Sequence, residues 1–298
     1  MIIDCHTHIF PGAVRKDRDS FCERDEGFSA IYGNPGAKMI GVEELIASMD
    51  EAGVESSVLC GFSWERPDLC HLHNQYLLES ADRHPRRLFP FLSVSLSDPE
   101  GAVKELEEGV KAGGRGAGEI AFYCWGMTSR DLDGMGPLLD MLEEKQIPLL
   151  MHANETIGHP YPGKGETPLE RFYELACARP GLAIILAHWG GGLLFYELMP
   201  EVAKRLSNVY YDTAASPFLY SKRIYSIGSE IIGADRILFG SDFPLITPRR
   251  YFREIEESGL SREDQNKILG LNLLRLLRTF PPPSSSWPRE KKTEGGGH

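Results

Sequence analysis

The sequence lacks any apolar run of the roughly 18 residues that a membrane-spanning helix needs. Its start, MIIDCHTHIF, also lacks the basic segment and following apolar segment of a secretory signal peptide. Positive charge is scarce, because 32 Lys and Arg residues stand against 43 Asp and Glu residues and give a net charge of −11. We therefore expect neither a membrane anchor nor a surface that binds nucleic acid.

Cysteine is sparse, and its spacing contains no paired motif. The six cysteines occur without a CxxC sequence and are Cys5, Cys22, Cys60, Cys70, Cys124 and Cys177. In a chain of 298 residues, scattered cysteines favour free thiols in a reducing compartment over a disulfide framework. The sequence therefore predicts a cytoplasmic location.

Short apolar runs that are typical of strands alternate with amphipathic runs that are typical of helices. The strands are predicted at 1–8, 55–62, 87–96, 116–123, 147–154, 182–190, 208–215 and 236–244. Repeated strand–helix units favour a parallel sheet, and eight of them in a chain of this length favour a closed barrel. The sequence therefore predicts an α/β fold, a single (β/α)8 TIM barrel that spans residues 1–280.

Two segments fall outside this alternation. Residues 10–39 follow the first predicted strand without a regular pattern, so we expect a long loop that forms a lid or a wall of the active-site pocket. Residues 281–298, PPPSSSWPREKKTEGGGH, are rich in proline, serine and glycine. This composition predicts a disordered tail.

Two pairs of histidines share one spacing, but only one pair suits a common site. Side chains two apart in a strand point to the same face, so His6 and His8 in DCHTHIF can converge. His71 and His73 lie in a helical pattern, where residues two apart diverge by about 200° around the axis. The first pair is therefore the candidate for metal binding.

Further ligand-type residues fall at one end of the predicted barrel. Glu119 points inward in GAGEIAFY. The fifth, sixth and eighth strands end at His152, His188 and Asp242. Each residue alone also fits an ordinary hydrogen-bonded or capping role, but their joint occurrence at the active-site end of such a barrel predicts a metal centre. Imidazole and carboxylate groups together suit Zn²⁺ and similar divalent ions.

Four segments together resemble a known family. DCHTH, PLLMHAN, IILAHWGG and LFGSDFP resemble the amidohydrolase superfamily, in the branch that is similar to aminocarboxymuconate-semialdehyde decarboxylase and to lactone hydrolases of aromatic breakdown products. The resemblance covers the predicted barrel strand by strand. It implies that His6, His8 and either His152 or His188 are metal ligands. It also implies that Asp242 binds metal, accepts the proton of a bound water, or does both.

Glu119 departs from the commonest pattern of that superfamily. Binuclear members often carry a carbamylated lysine on strand 4, whereas GAGEIAFY is similar to the GEIGLD segment of TatD-type enzymes, where a glutamate bridges two metals. Mononuclear members need no ligand there. The resemblance therefore implies one or two divalent ions per chain, Zn²⁺ first and Mn²⁺ or another transition metal as alternatives. Glu119 is then either a metal ligand or a carboxylate that faces the substrate.

Loop positions predict the substrate-binding residues. Side chains that follow or end the predicted strands, in reach of a substrate, are Trp64, Arg66, Tyr123, Asn154, His159 and Trp189. The aromatic members favour a flat or apolar substrate. The guanidinium of Arg66 suits a carboxylate.

The predicted function is hydrolysis of a small ester, lactone or amide by a metal-activated water, with Asp242 and His188 as catalytic groups. The alternative is non-oxidative decarboxylation of an aromatic or unsaturated carboxylic acid, with a proton delivered to carbon in the same site. Both reactions use the same ligands, so the ligands alone leave both open. We expect a small-molecule substrate, and a homodimer that forms through the apolar LLFYELMPEV and FLYSKRIYSIG surfaces.

Overall fold

The computed structural model describes residues 1–278. In this part of the chain, eight parallel strands follow one another in sequence order around a single sheet, which confirms the predicted (β/α)8 barrel. The strands are β1 (Ile3–Thr7), β2 (Ser56–Cys60), β3 (Leu88–Leu92), β4 (Gly116–Ile120), β5 (Leu149–Met151), β6 (Ile184–Leu186), β7 (Val209–Asp212) and β8 (Ile237–Leu238). Each lies inside a predicted strand and is shorter than predicted.

Hydrogen bonds between β1 and the segment around β8 bring the ends of the sheet together. Cys5 N–H donates to Phe239 O at 2.8 Å, and His8 N–H donates to Phe243 O at 2.8 Å. Thr7 and Phe243 form a further parallel bridge. The first and last strands are therefore neighbours, so residues from both ends of the chain can meet at one mouth.

The α-helices cover the outside of the barrel and the ends of its strands. They are α1 (Gly12–Lys16), α2 (Arg18–Arg24), α3 (Glu26–Tyr32), α4 (Val42–Ala52), α5 (Pro67–Arg83), α6 (Pro99–Lys111), α7 (Ser129–Gly134), α8 (Gly136–Glu144), α9 (Leu169–Ala178), α10 (Pro200–Arg205), α11 (Ser216–Leu219), α12 (Arg223–Ile232), α13 (Pro248–Glu256), α14 (Arg262–Asn266) and α15 (Asn272–Arg278). Short 3₁₀ segments lie at His188–Leu198 and Ala234–Arg236, and a π turn lies at Lys267–Leu271.

The core divides at the barrel wall because strand side chains alternate between two faces. Leu149 and Met151 of β5 belong to the large cluster between the strands and the helices. Leu150, between them, packs inside the barrel with Ile185 and Leu238. The same alternation decides which polar residues of each strand reach the barrel axis.

The segment 10–39 contains helices, which corrects the prediction of a long irregular loop. It holds α1, α2 and α3, and α3 begins where the Asp25 carboxylate accepts the Phe28 N–H at 2.8 Å. The signal that could have revealed this helix is the capping carboxylate before an amphipathic turn. Residues 31–38, at the end of this segment, form one wall of the cavity described below.

The second histidine pair lies in α5, as predicted from its helical pattern. His71 is exposed and lies 3.0 Å from a Glu105 oxygen, whereas His73 is completely buried. The two imidazoles therefore face different environments and share no site.

All six cysteines are free thiols. Among residues 1–278, no helix has the length and apolar character that a membrane crossing would require.

Candidate metal centre and substrate cavity

Six ligand-type side chains meet at the carboxyl ends of the barrel strands. They are His6 within β1, His8 just after β1, Glu119 within β4, His152 after β5, His188 after β6 and Asp242 after β8. These are the positions that strand alternation predicts, because the carboxyl ends of parallel strands open onto the same mouth. The structure therefore brings together the whole predicted ligand set.

Glu119 lies between two pairs of histidines. Its Oε1 is 3.7 Å from His6 Nε2 and 3.0 Å from His152 Nδ1. Its Oε2 is 3.8 Å from His8 Nε2. The Nε2 atoms of His6 and His8 are 3.0 Å apart, and His188 Nε2 is 3.3 Å from His152 Nδ1. Two three-residue groups thus share Glu119, and in each the ligand atoms lie within 4.8 Å of one another.

Asp242 closes the cluster on the side of β8. Its Oδ1 is 3.5 Å from His8 Nε2 and 3.9 Å from His6 Nε2. The backbone at Asp242 has a φ of 58°, in the left-handed region that non-glycine residues seldom adopt. Its N–H donates to His6 O at 2.9 Å and holds this turn against β1. Such strained positions are common where a side chain must be aimed at a functional site.

Outer hydrogen bonds assign the ring nitrogens that face the centre. His6 Nδ1 lies 2.8 Å from an Asp212 oxygen, and His188 Nδ1 lies 3.0 Å from Ala214 O. His152 uses its other nitrogen, because its Nε2 lies 3.0 Å from Gly163 O. A ring nitrogen that faces an oxygen acceptor carries the proton, so the opposite nitrogen of each ring presents a lone pair to the centre.

These lone pairs and carboxylates fit a divalent metal ion. The inward nitrogens of three imidazoles and the carboxylates of Glu119 and Asp242 converge in a buried space. A divalent cation there would take the place of the protons that otherwise offset the two carboxylates. Histidine ligands held by a carboxylate or carbonyl on their outer nitrogen are typical of protein metal sites.

The pKa values reflect the crowding of charge in this site. Burial raises the pKa of Glu119, but the charges of His6 and His152 outweigh burial and hold the pKa well below its usual range. Burial lowers the pKa of His8, and the charge of His6 lowers it further. Burial likewise lowers the pKa of His188, with a contribution from His152. Burial lowers the pKa values of His6 and His152, but neighbouring acidic groups, Glu119 among them, outweigh burial and raise both. Metal binding would release these protons and leave the neutral imidazoles that metal ligands must be.

Asp212 is a part of the site that the sequence analysis missed. It ends β7, is fully buried, and accepts hydrogen bonds from His188 N–H and Ala214 N–H at 2.9 Å each, besides its contact with His6. The available signal was a carboxylate at the end of the seventh strand, in NVYYDTAA. Asp212 fixes two ligands without facing the cavity.

A cavity of about 690 Å³ lies above the cluster, within the size range of small-molecule sites. His8, Glu119, His152, His188 and Asp242 form its floor. Its walls come from the segments 31–38, 159–163, 215–219 and 244–245 together with Phe62 and Tyr123. Of the predicted substrate-binding residues, Tyr123 and His159 line this cavity.

Trp64 and Arg66, both predicted to bind substrate, lie outside the lining of this cavity. The Trp64 ring stacks on Phe28 with ring centroids 4.7 Å apart, and its Nε1 donates to His73 Nδ1 at 3.2 Å. Arg66 precedes α5 at the surface and donates to Asp68 at 2.9 Å. Trp64 therefore packs behind the cavity wall, against Phe28 and Phe62, whereas Arg66 is exposed at the surface.

Trp189 and Asn154 also contact the scaffold rather than the cavity. The backbone of Trp189 has a φ of 58°, which turns the indole outward to Tyr225 and lets its Nε1 donate to Ser216 Oγ at 2.6 Å. The amide of Asn154 donates to Gly165 O at 2.9 Å and accepts from Gly165 N–H at 3.1 Å. Asn154 therefore holds the base of the loop that carries His159.

Residues 3–279 match the profile of the amidohydrolase family. The chain belongs to the amidohydrolase family. This confirms the resemblance found in the sequence and supports an enzyme. The matched range contains all six ligand-type side chains.

Four curated proteins are similar to this amidohydrolase, and each is named gamma-resorcylate decarboxylase. The protein from Rhizobium radiobacter is 25% identical over 284 residues, covering 80% of this chain and 84% of that protein. The protein from Polaromonas sp. (strain JS666) is 23% identical over 275 residues, covering 76% of this chain and 84% of that protein. These relatives overturn the prediction of a hydrolase and favour the alternative reaction.

Solved decarboxylase structures share the fold of this amidohydrolase. A 5-carboxyvanillate decarboxylase from Novosphingobium aromaticivorans aligns with a TM-score of 0.76 and 17% identity, over 93% of this chain and 96% of that chain. A dihydroxybenzoic acid decarboxylase from Polaromonas sp. JS666 aligns with a TM-score of 0.71 and 20% identity, over 93% and 96%. Both structures contain manganese, whereas zinc is the metal that the sequence predicts first.

Proposed function

We propose that this protein is a metal-dependent, non-oxidative decarboxylase of a hydroxylated aromatic carboxylic acid. The observation that carries the proposal is the buried cluster of imidazole lone pairs and carboxylates beneath an aromatic-walled cavity, in a chain similar to gamma-resorcylate decarboxylases. The substrate's carboxylate would lie over the floor of the cavity, and its ring would lie between Phe62, Tyr123 and the opposite wall.

The metal would be held by the six side chains at the mouth, with Mn²⁺ as the first candidate. These side chains are His6, His8, Glu119, His152, His188 and Asp242. Glu119 faces both histidine pairs, so its carboxylate would be a ligand shared by the two pairs, whether one ion or two are bound. When bound, a divalent ion supplies positive charge that holds the oxygens of the substrate beside these residues.

Asp242 would deliver the proton that replaces the carboxyl group. In its protonated form it transfers that proton to the ring carbon that carries the carboxylate. The bond from this carbon to the carboxylate then breaks, its electron pair returns to the ring, and CO₂ leaves. Asp242 is left ionised and regains a proton from solvent before the next turnover. His188, whose Nε2 lies 3.3 Å from His152 Nδ1, would orient a substrate oxygen or hold metal.

The decisive experiment uses the full chain, loaded with Mn²⁺, and 2,6-dihydroxybenzoate in D₂O. We expect release of CO₂ and formation of resorcinol with one deuterium at the carbon that lost the carboxylate. Chelator treatment should abolish the reaction, and added Mn²⁺ should restore it. Absence of CO₂ release across a panel of hydroxylated benzoates, from protein shown to contain metal, would refute the proposal.

The Asp242→Asn variant tests the role of the proton donor. General acid catalysis contributes about 10²- to 10⁴-fold to rates, so we expect a loss of at least about 100-fold in kcat. Elemental analysis must accompany the assay, because Asp242 is also a candidate ligand. Retained metal with lost turnover supports the assigned proton transfer, and retained turnover contradicts it.

A further inference from the structure

Tyr32, at the end of α3, is a polar residue of the cavity wall that the mechanism above leaves without a role. Only 9% of its surface is exposed, yet it lines the cavity. Its ring packs against Phe10, Phe28 and Phe62, with centroid distances of 4.9, 5.0 and 5.8 Å. Because three aromatic neighbours hold the ring, the direction of the hydroxyl is set before any ligand binds.

No hydrogen bond joins the hydroxyl of Tyr32 to another residue among residues 1–278. The other two tyrosines of the cavity differ, because Tyr123 donates to Glu119 at 3.4 Å and Tyr161 donates to Glu155 at 2.9 Å. A hydroxyl at a cavity wall that no protein group engages can take its hydrogen-bond partner from a ligand. The free hydroxyl is therefore available to a bound molecule.

The electrostatic surroundings make Tyr32 a donor. Burial raises the pKa of Tyr32, and the charges of Asp242 and Glu119 raise it further, so the phenol keeps its proton. The same two carboxylates repel an anionic substrate unless neighbouring groups offset them. A neutral hydroxyl beside the cluster can donate a hydrogen bond to such a substrate without adding a positive charge that would compete with a metal ion.

We infer that the Tyr32 hydroxyl donates a hydrogen bond to an anionic oxygen of the bound substrate, either a carboxylate or a phenolate oxygen. The inference rests on the proposed function for the class of substrate. It assigns a substrate-binding role to the segment between β1 and β2, which otherwise serves as a wall. The bond would fix the plane of the aromatic ring over the floor of the cavity.

The test compares Tyr32→Phe with Tyr225→Phe in the full, Mn²⁺-loaded protein. Phenylalanine keeps the ring packing of Tyr32 and removes only the hydroxyl. Tyr225 is the matched control, because it is fully buried, its hydroxyl also lacks a partner, and it lies outside the cavity lining. Because a hydrogen bond to a charged group is lost, Tyr32→Phe should weaken binding about 10- to 100-fold.

Binding is measured calorimetrically with 2-nitroresorcinol, the inhibitor bound in the Polaromonas structure, and with 2,6-dihydroxybenzoate. We expect a raised Kd for Tyr32→Phe, with metal content and melting temperature equal to wild type, and an unchanged Kd for Tyr225→Phe. Equal Kd values for wild type and Tyr32→Phe would overturn the inference, as would failure of both probes to bind wild type. Weakened binding in a protein that releases no CO₂ would retain the inference and reject the proposed function.

Discussion

Asp212 controls the metal centre without entering the cavity. Its carboxylate faces His6 Nδ1 at 2.8 Å and accepts the backbone N–H groups of His188 and Ala214. It thereby fixes the orientation of one imidazole and the backbone that carries a second. Carboxylates in this position raise the basicity of the histidine that they hold.

We predict that Asp212→Asn lowers the affinity for Mn²⁺ about 10- to 100-fold, because the variant keeps the shape of the side chain but loses its charge. The affinity is measured by competition with a chelator of known strength. The control is Asp235→Asn, which removes an exposed carboxylate that pairs with Lys267 and Arg275. Equal Mn²⁺ affinity in wild type and Asp212→Asn would contradict the prediction.

His73 is a buried neutral histidine that joins the chain segments after β1 and β2. Its Nε2 donates to Ile9 O at 2.8 Å, and its Nδ1 accepts from Phe62 N–H at 3.3 Å and from Trp64 Nε1 at 3.2 Å. Burial lowers the pKa of His73 from 6.5 to about 4. Between these two values the unfolded chain binds more protons than the folded one, so the stability that His73 provides is complete above pH 6.5 and is lost as the pH falls toward about 4.

We predict that His73→Gln is destabilising at pH 7 by about 1–3 kcal/mol, since buried hydrogen bonds are lost. The difference from wild type should shrink by up to about 1.4 kcal/mol per pH unit between pH 6.5 and about pH 4. Urea unfolding at a series of pH values measures both effects. The exposed neighbour variant His71→Gln is the control and should show neither. A difference that stays constant with pH would count against a buried neutral His73.

At the scale of elements, Asp25 attaches α3 to the barrel. One oxygen caps α3 through Phe28 N–H, and the other accepts Glu65 N–H at 2.8 Å. The carboxylate is almost completely buried. It therefore connects the segment after β1, which carries Tyr32, with the segment after β2.

We predict that Asp25→Ala loosens α3 by about 1–2 kcal/mol and raises the KM several-fold, because the cavity wall loses its anchor. Hydrogen exchange of residues 25–38 and steady-state kinetics measure the two effects. Asp98→Ala is the matched control, since Asp98 caps α6 through Gly101 N–H at 3.0 Å on the outside of the barrel. The Asp98→Ala variant should lose a similar helix-capping contribution to stability and leave the KM unchanged. A KM that is equally affected by both variants would contradict the role of Asp25.

The alternation of strand side chains made the ligand cluster predictable from the sequence. His6, His8 and Glu119 lie on the inner face of their strands because that face is set by a period of two. The same rule fails beyond the strand ends. Trp189 follows His188 directly, but a left-handed backbone turns it into the helical layer, and no strand period describes such a turn.

The sequence pattern does not predict contacts between segments that lie far apart in the chain. Asp212 meets His6 across 206 positions only because β7 and β1 lie near each other around a closed barrel. Trp64 turns from the cavity because His73, on a neighbouring helix, offers its indole an acceptor. The prediction of hydrolysis over decarboxylation was wrong for a chemical reason. The same metal ligands serve both reactions, so they do not distinguish between them.

At the scale of the whole molecule, one surface remains unusually apolar. The chain after β6 exposes four large hydrophobic side chains in a run of five residues: Phe195 at 40%, Tyr196 at 54%, Leu198 at 70% and Met199 at 46%. Clustered exposed hydrophobic residues indicate a contact surface, whereas single ones are ordinary. This run lies within LLFYELMPEV, one of the two surfaces through which the sequence predicts a homodimer.

We predict that the protein is a homodimer in solution and that Leu198→Glu dissociates it, because a carboxylate buried in an apolar interface lacks a partner. Sedimentation velocity at micromolar concentration measures the change. Ile157→Glu is the control, because Ile157 is 85% exposed in the loop between β5 and α9, away from this run. It should leave the dimer intact. A wild-type protein that sediments as a monomer would show that the apolar run serves another purpose, and a Leu198→Glu dimer would place the interface on a different face of the barrel.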